Sequence, residues 1–174
     1  MSESFDVNKP FAFGVCRIEP ENNVHLLLEA FSEQTTMPLI MVGNWANSEY
    51  GNGLKERYLG NPSIIMYDPI YDQGKLNALR SNCTLYLHGH SCGGTNPSLV
   101  EAMYLRLAIV AFDCNFNRET TENKAIYFKN AEKLRELLHS LTDKQLQQIA
   151  DCMKEIADRR YTWKRIADCY AKLL

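Results

Sequence analysis

Long apolar runs are missing from this 174-residue sequence. Its most apolar stretches, near Leu99–Val100 and Leu107–Phe112, fall far short of the roughly 20 residues that a bilayer-spanning helix needs. Excess charge is missing too. Nineteen basic residues stand against 21 acidic ones, a net charge of −2. That balance leaves no basic surplus for nucleic acid and no acidic tail. The opening Met1-Ser-Glu-Ser-Phe-Asp-Val has neither the basic nor the apolar part of a secretory signal, so none is expected. Six cysteines (Cys16, Cys83, Cys92, Cys114, Cys152 and Cys169) form no Cys-x-x-Cys pair. Their scatter points to buried small hydrophobes in a reducing cytosol, not to a disulfide framework. The expected location is cytoplasmic.

Two nucleotide-binding signatures are also absent. No Gly-x-Gly-x-x-Gly follows the first predicted strand, which argues against a nicotinamide dehydrogenase. Gly74-Lys75 is followed by Leu76 and lacks the upstream glycine of a Walker loop. No internal repeat or low-complexity run occurs.

What is present is alternation. Short apolar segments at 11–17, 38–43, 63–67, 84–88, 108–112 and 125–128 read as strands. Helical patterns occupy 22–32, 49–58, 73–81 and 97–104, and run from Asn130 to the end. Strands alternating with helices of about ten residues predict βα units and a parallel sheet. Right-handed crossovers place helices on both faces. The expected fold is one α/β domain over 1–174, doubly wound and Rossmann-like, with C-terminal helices. Leu146, Ile149, Met153 and Ile156 form one apolar stripe of those helices; Trp163, Ile166, Ala167 and Tyr170 form another. Both are expected to pack on the sheet. Such sheets bind ligands at the carboxyl ends of their strands, near the switch in strand order. The loops after Arg17, Gly43, Tyr67, His88 and Phe112 are therefore the places for a site.

The richest of these loops is His88-Gly-His-Ser-Cys-Gly-Gly-Thr-Asn-Pro-Ser-Leu-Val-Glu-Ala-Met103. Pro97 suits a first helical position, since it lacks an N–H and its φ is already helical. Asn96 is then the N-cap, accepting from Ser98 or Leu99 N–H. Gly93-Gly94 allows positive φ or close approach to a ligand. Free amides at the helix start favour an anion. Glu101, one turn on, is able to accept two hydroxyl hydrogen bonds, as a ribose would offer. A nucleoside diphosphate suits this set. A capped βα turn with a surface glutamate suits it as well.

Three segments in order resemble one family. They are Val15-Cys-Arg-Ile-Glu-Pro-Glu-Asn-Asn-Val-His-Leu-Leu-Leu-Glu-Ala-Phe31, Pro97-Ser-Leu-Val-Glu-Ala-Met103 and Tyr161-Thr-Trp-Lys-Arg-Ile-Ala-Asp-Cys-Tyr170. Together they look like the C-terminal, donor-binding domain of the family 4 retaining glycosyltransferases, which have the two-domain GT-B fold. The Gly-Gly-Thr-Asn-Pro-Ser form resembles a rhamnosyl- and galactosyltransferase-like subgroup for surface polysaccharides. The resemblance implies transfer of a hexose or deoxyhexose from a nucleotide diphosphate to a hydroxyl, without a metal or other cofactor. It assigns Arg17 to the diphosphate and Glu101 to the ribose, the two residues on which catalysis would rest. Backbone amides at Gly94, Thr95 and Asn96 would meet phosphate or sugar, and Ile70 the base. Two positions depart from the pattern. Asn22 stands where the family has a phosphate-binding lysine, and Gly93 where it has the first glutamate of a Glu-x7-Glu pair. The resemblance further implies an absent N-terminal acceptor-binding domain as partner, with Met1–Pro10 a linker remnant and the isolated domain inactive alone. Full-length relatives often sit at the inner membrane face.

Other residues attract attention. His88 and His90 alternate on a strand and share a face, but a third metal ligand is missing, so no metal is expected. His90, at the strand end, is a donor-site candidate. Cys92 reads as a small residue in a tight turn. Asp68 and Asp72 flank Pro69 as turn and cap residues. Asp113, Asn117 and Glu119 follow a strand and are further cleft candidates. The alternative is a non-catalytic flavodoxin-like or Rossmann-like binding or signalling module. A receiver of that kind needs an acidic cluster where this chain has Cys16-Arg17.

Overall fold

The computed structural model describes residues 6–33 and 35–172, apart from the side chain of Cys169. Residues 1–5 of the expected linker remnant lie outside the described residues. Six strands, β1 (Ala12–Val15), β2 (Leu39–Val42), β3 (Ile64–Tyr67), β4 (Leu85–His88), β5 (Ile109–Phe112) and β6 (Ile126–Phe128), form one sheet. Every pairing is parallel and the order is β3-β2-β1-β4-β5-β6. Chain direction across the sheet therefore reverses between β1 and β4, and the crevice of a doubly wound fold opens at their carboxyl ends.

The strands are short and almost wholly apolar because both faces are covered. Alternate residues feed two cores. Ala12, Leu39, Met41, Leu85, Leu87 and Val110 face α1 (Val24–Phe31), α2 (Glu49–Arg57) and α6 (Ala131–Ser140). Phe13, Ile40, Val42, Tyr86 and Ile109 face α3 (Gln73–Asn82), α4 (Pro97–Tyr104) and α7 (Asp143–Arg160). The helices start where side chains cap them. Ser48, Asp72, Asn96, Asn130 and Thr142 each accept from a backbone N–H of the first turn, and Thr142 with Gln145 closes a capping box.

Three expectations need correction. A short helix, α5 (Asn115–Thr120), stands where no helix was read. Its inward residues, Asn117 and Thr120, are polar, so it shows no apolar periodicity. The last helix, α8 (Trp163–Ala171), buries none of its described side chains, and Trp163 is 87% exposed. Trp163 and Tyr170 of its apolar stripe stay exposed instead of packing on the sheet. The cysteines are not uniformly interior. Cys83 is buried, Cys16, Cys114 and Cys152 are half-buried, and Cys92 is exposed on the loop after β4; all five are free thiols. No helix of the described residues is long and apolar enough to cross a membrane.

Candidate functional site

The β1/β4 crevice is built by two loops that hold each other. Asn23, in the left-handed conformation with φ 49°, donates its amide to Gly89 O at 2.9 Å. Asparagine tolerates that backbone better than most residues. Ser91 returns the contact, donating both N–H (2.9 Å) and Oγ–H (2.8 Å) to Glu21 O. Gly89 permits this closeness: a Cβ there would collide with Asn22 O. From the other side Asn117, 2% exposed, donates to His90 O at 2.9 Å and Phe112 O at 2.8 Å. The loop after β4 is thus fixed on both flanks.

These loops enclose a cavity of about 630 Å³. Its lining brings together six expected residues: Arg17, Asn22, His90, Gly93, Asn96 and Glu101. Gly94 and Thr95 lie on the exposed part of the same loop and do not line it. Arg17 lies two residues past the end of β1, is exposed, and enters no ion pair with the described residues. Across from it α4 begins. Asn96 accepts from Ser98 N–H (3.0 Å) and Oγ–H (2.8 Å), and Pro97 occupies the first turn. Gly93 has φ +108°, a backbone that L side chains rarely adopt. The cavity therefore meets a free guanidinium on one wall and a helix N-terminus on another, both suited to an anion.

Asn22 behaves differently from a ligand-facing donor. It is 3% exposed and its amide donates to Arg17 O at 2.8 Å. Its donor capacity goes into shaping the turn that carries Arg17. Glu101 is 55% exposed at its side chain and is paired with Arg80, whose Nη1 lies 2.8 Å from Oε2. Arg80 was not foreseen. The signal was its position four residues after Leu76, which places it on the buried side of α3.

Tyr86 and His88 on one face of β4 and His90 just past its end form a column that ends in the cavity. Burial first, and then the positive charge of Arg17, push the His90 imidazole down to about 4. Burial and the neighbouring His90 hold His88 well below the usual histidine range. Both rings are neutral at pH 7. Burial also pushes the Cys16 thiol up to about 12, so it carries no thiolate. Among the described residues no three His, Cys, Asp or Glu side chains gather to hold a metal.

A second cavity, about 350 Å³, shares Val15, Cys16 and Arg17 with the first. It extends along the sheet edge to Gly43, Asn44, Pro69 and Ile70. Trp45 Nε1 donates to Tyr67 O at 2.9 Å and ties down the start of the Tyr67–Tyr71 loop. Ile70 therefore belongs to an adjoining lobe of the same cleft. Asp113 and Glu119 line neither lobe. Asp113 pairs with Arg118 and Lys129, and Glu119 with Arg160.

The sequence from residue 2 to 160 matches the family model described as glycosyl transferases group 1. The chain belongs to that family. Its fold is the C-terminal Rossmann-like half of GT-B structures. HepE of Anabaena, crystallised with UDP-glucose, superposes with a TM-score of 0.80 at 20% identity, covering 95% of this chain and 50% of that one. A glycosyltransferase from Rickettsia africae gives 0.82 at 15% identity, covering 95% and 47%. The C-terminal domain of a group 1 glycosyl transferase (LpcC) from Francisella tularensis gives 0.73 at 16% identity, covering 88% and 87%. This chain thus spans about half the length of the first two proteins and most of the isolated third domain. No curated protein matches the sequence.

Proposed function

We propose that this chain is the donor-binding domain of a family 4 retaining glycosyltransferase that moves a hexose or deoxyhexose from a nucleotide diphosphate to a hydroxyl. The observation that carries this reading is one cavity at the β1/β4 switch point, lined at once by Arg17, the capped start of α4, and Glu101. Family membership and a fold shared with the UDP-glucose-bound HepE support it.

In this reading Arg17 and the positive end of the α4 dipole face the diphosphate, the first-turn amides of the helix being taken up by the Asn96 cap. Asn96, which lines the cavity, offers a backbone donor, while Gly94 and Thr95 stand on the exposed part of the same loop, outside the lining. As the glycosidic bond breaks, negative charge grows on the leaving diphosphate, and these preset positive groups stabilise it. They neutralise the charge without a metal. Glu101 accepts hydrogen bonds from the ribose. The base lies toward Ile70 in the second lobe. Neutral His90 gives or accepts a hydrogen bond at the sugar or phosphate. Asn22 acts through the turn and not as a replacement for the family lysine.

An N-terminal domain would supply the acceptor, as the greater length of HepE and the Rickettsia protein suggests. Alone, this domain binds nucleotide and turns over little. The acceptor class is a surface polysaccharide and the place of action cytoplasmic, at the inner membrane face for the whole enzyme. A thermal-shift panel of UDP, GDP and dTDP with a chelator present tests the reading. One nucleotide raising the melting temperature in a saturable way supports it. No shift with any of them, in a folded domain, contradicts it.

A further inference from the structure

Arg80 is the most buried cation among the described residues, with 7% of its side chain exposed. Burying a guanidinium is costly unless it is paired and hydrogen-bonded. Here the pairing is incomplete. Nη1 meets Glu101 Oε2 at 2.8 Å, while Nε is buried without a partner. The position lies on the inward side of α3 beside Leu76, where an apolar residue would pack without that cost. Stability alone therefore gives no reason for an arginine there.

The partner supplies a reason. Glu101 sits on α4 at the cavity, more than half exposed, on a side chain with three rotatable bonds. A carboxylate that must accept from two adjacent hydroxyls has to be held in one orientation. Arg80 reaches it from a different helix, with Nη1 on Oε2. A planar, always-charged guanidinium anchored in the core is a rigid holder.

We propose that Arg80 is the positioning residue that orients Glu101 toward a vicinal diol, making this domain selective for ribose over sugars lacking that diol. The proposal rests on the donor-binding reading. It concerns selectivity, which a merely structural ion pair would not move.

The test compares binding of a nucleoside diphosphate and its 2′,3′-dideoxy analogue, by calorimetry, to the intact chain. Arg80→Met removes the charge but keeps an apolar stem suited to the site; Arg80→Gln serves as the second variant should the first fail to fold. The unaltered chain is expected to prefer the ribose form by on the order of 10-fold or more, as hydrogen bonds to a charged acceptor provide. Both Arg80 variants are expected to lose most of that preference while binding the dideoxy form as before. Arg80→Lys is expected to restore part of it. A preference unchanged by Arg80→Met or Arg80→Gln overturns the proposal. An unaltered chain that binds neither form overturns the donor-binding reading itself, and the two failures are told apart by whether that chain binds.

Discussion

The rings of His88 and His90 stack at 4.3 Å between centroids, tilted by only 11°. Two cationic imidazoles would repel at that distance, and burial disfavours charge on either. The column that ends in the cleft is therefore a neutral one, and protons are its antagonist.

The pH dependence of stability follows from this. Unfolded histidine titrates near pH 6.5, whereas His90 in the fold titrates at about 4. Between those values the unfolded chain holds more protons. The stability from His90 is complete above about pH 6.5 and is lost as pH falls toward 4. His88, which burial also holds well below the usual histidine range, adds to the same loss. Melting temperatures taken from pH 7.5 to 4 should fall by several degrees, and His90→Ser should flatten part of the slope. An equal slope in that variant contradicts the assignment.

The two loop glycines are expected to part company. Gly93→Ala forces an L residue to φ +108°, although its Cβ would meet open space. It should cost about 1–3 kcal/mol in denaturant unfolding. Gly94→Ala meets nothing and has no such φ, so stability should hold within about 0.5 kcal/mol. A loss of nucleotide binding in Gly94→Ala, at unchanged stability, would mark direct backbone approach of the ligand.

The clasp between the two loops should be unforgiving. Gly89→Ala drives a Cβ into the backbone at Asn22, which has no flexible atom to yield. A destabilisation of about 2 kcal/mol or more is expected. Asn22→Ala removes one of the two donors to Arg17 O, leaving only Glu19 N–H, and should cost about 1 kcal/mol. If Asn22→Ala instead weakens nucleotide binding with no effect on unfolding, the side chain serves the ligand and not the turn.

The C-terminal helices should differ just as sharply. Met153 on α7 is fully buried, and Met153→Ala should cost about 2–5 kcal/mol. Trp163→Ser on α8 should change the domain's stability by less than about 0.5 kcal/mol, because Trp163 touches so little. Chemical denaturation of the two variants side by side decides this.

Much of this architecture was legible in the residues. Each strand was marked by an apolar run, and α4 begins at Pro97 behind an Asn96 cap, as its dipeptide implies. Asp72 caps α3 as expected of a turn aspartate. Hidden features were those whose logic is tertiary. Asn117 and Thr120 make α5 polar on its inner side because they serve backbone and loop, not an apolar core. Arg80 looks like a surface cation until Glu101 is found beside it on another helix. The stripe of α8 has a core-facing pattern, yet pattern alone does not tell which surface is vacant. At Asn22 the family comparison pointed outward to phosphate, whereas the amide turns inward to Arg17 O.

The most direct measurement is a metal-free calorimetric titration of the domain with UDP, GDP and dTDP, repeated for Arg17→Ala and Glu101→Ala. Saturable binding of one nucleotide is expected, weakened about 10-fold or more by each substitution. Binding that survives both substitutions unchanged, or no binding by a folded domain, would contradict a donor site built from these two residues.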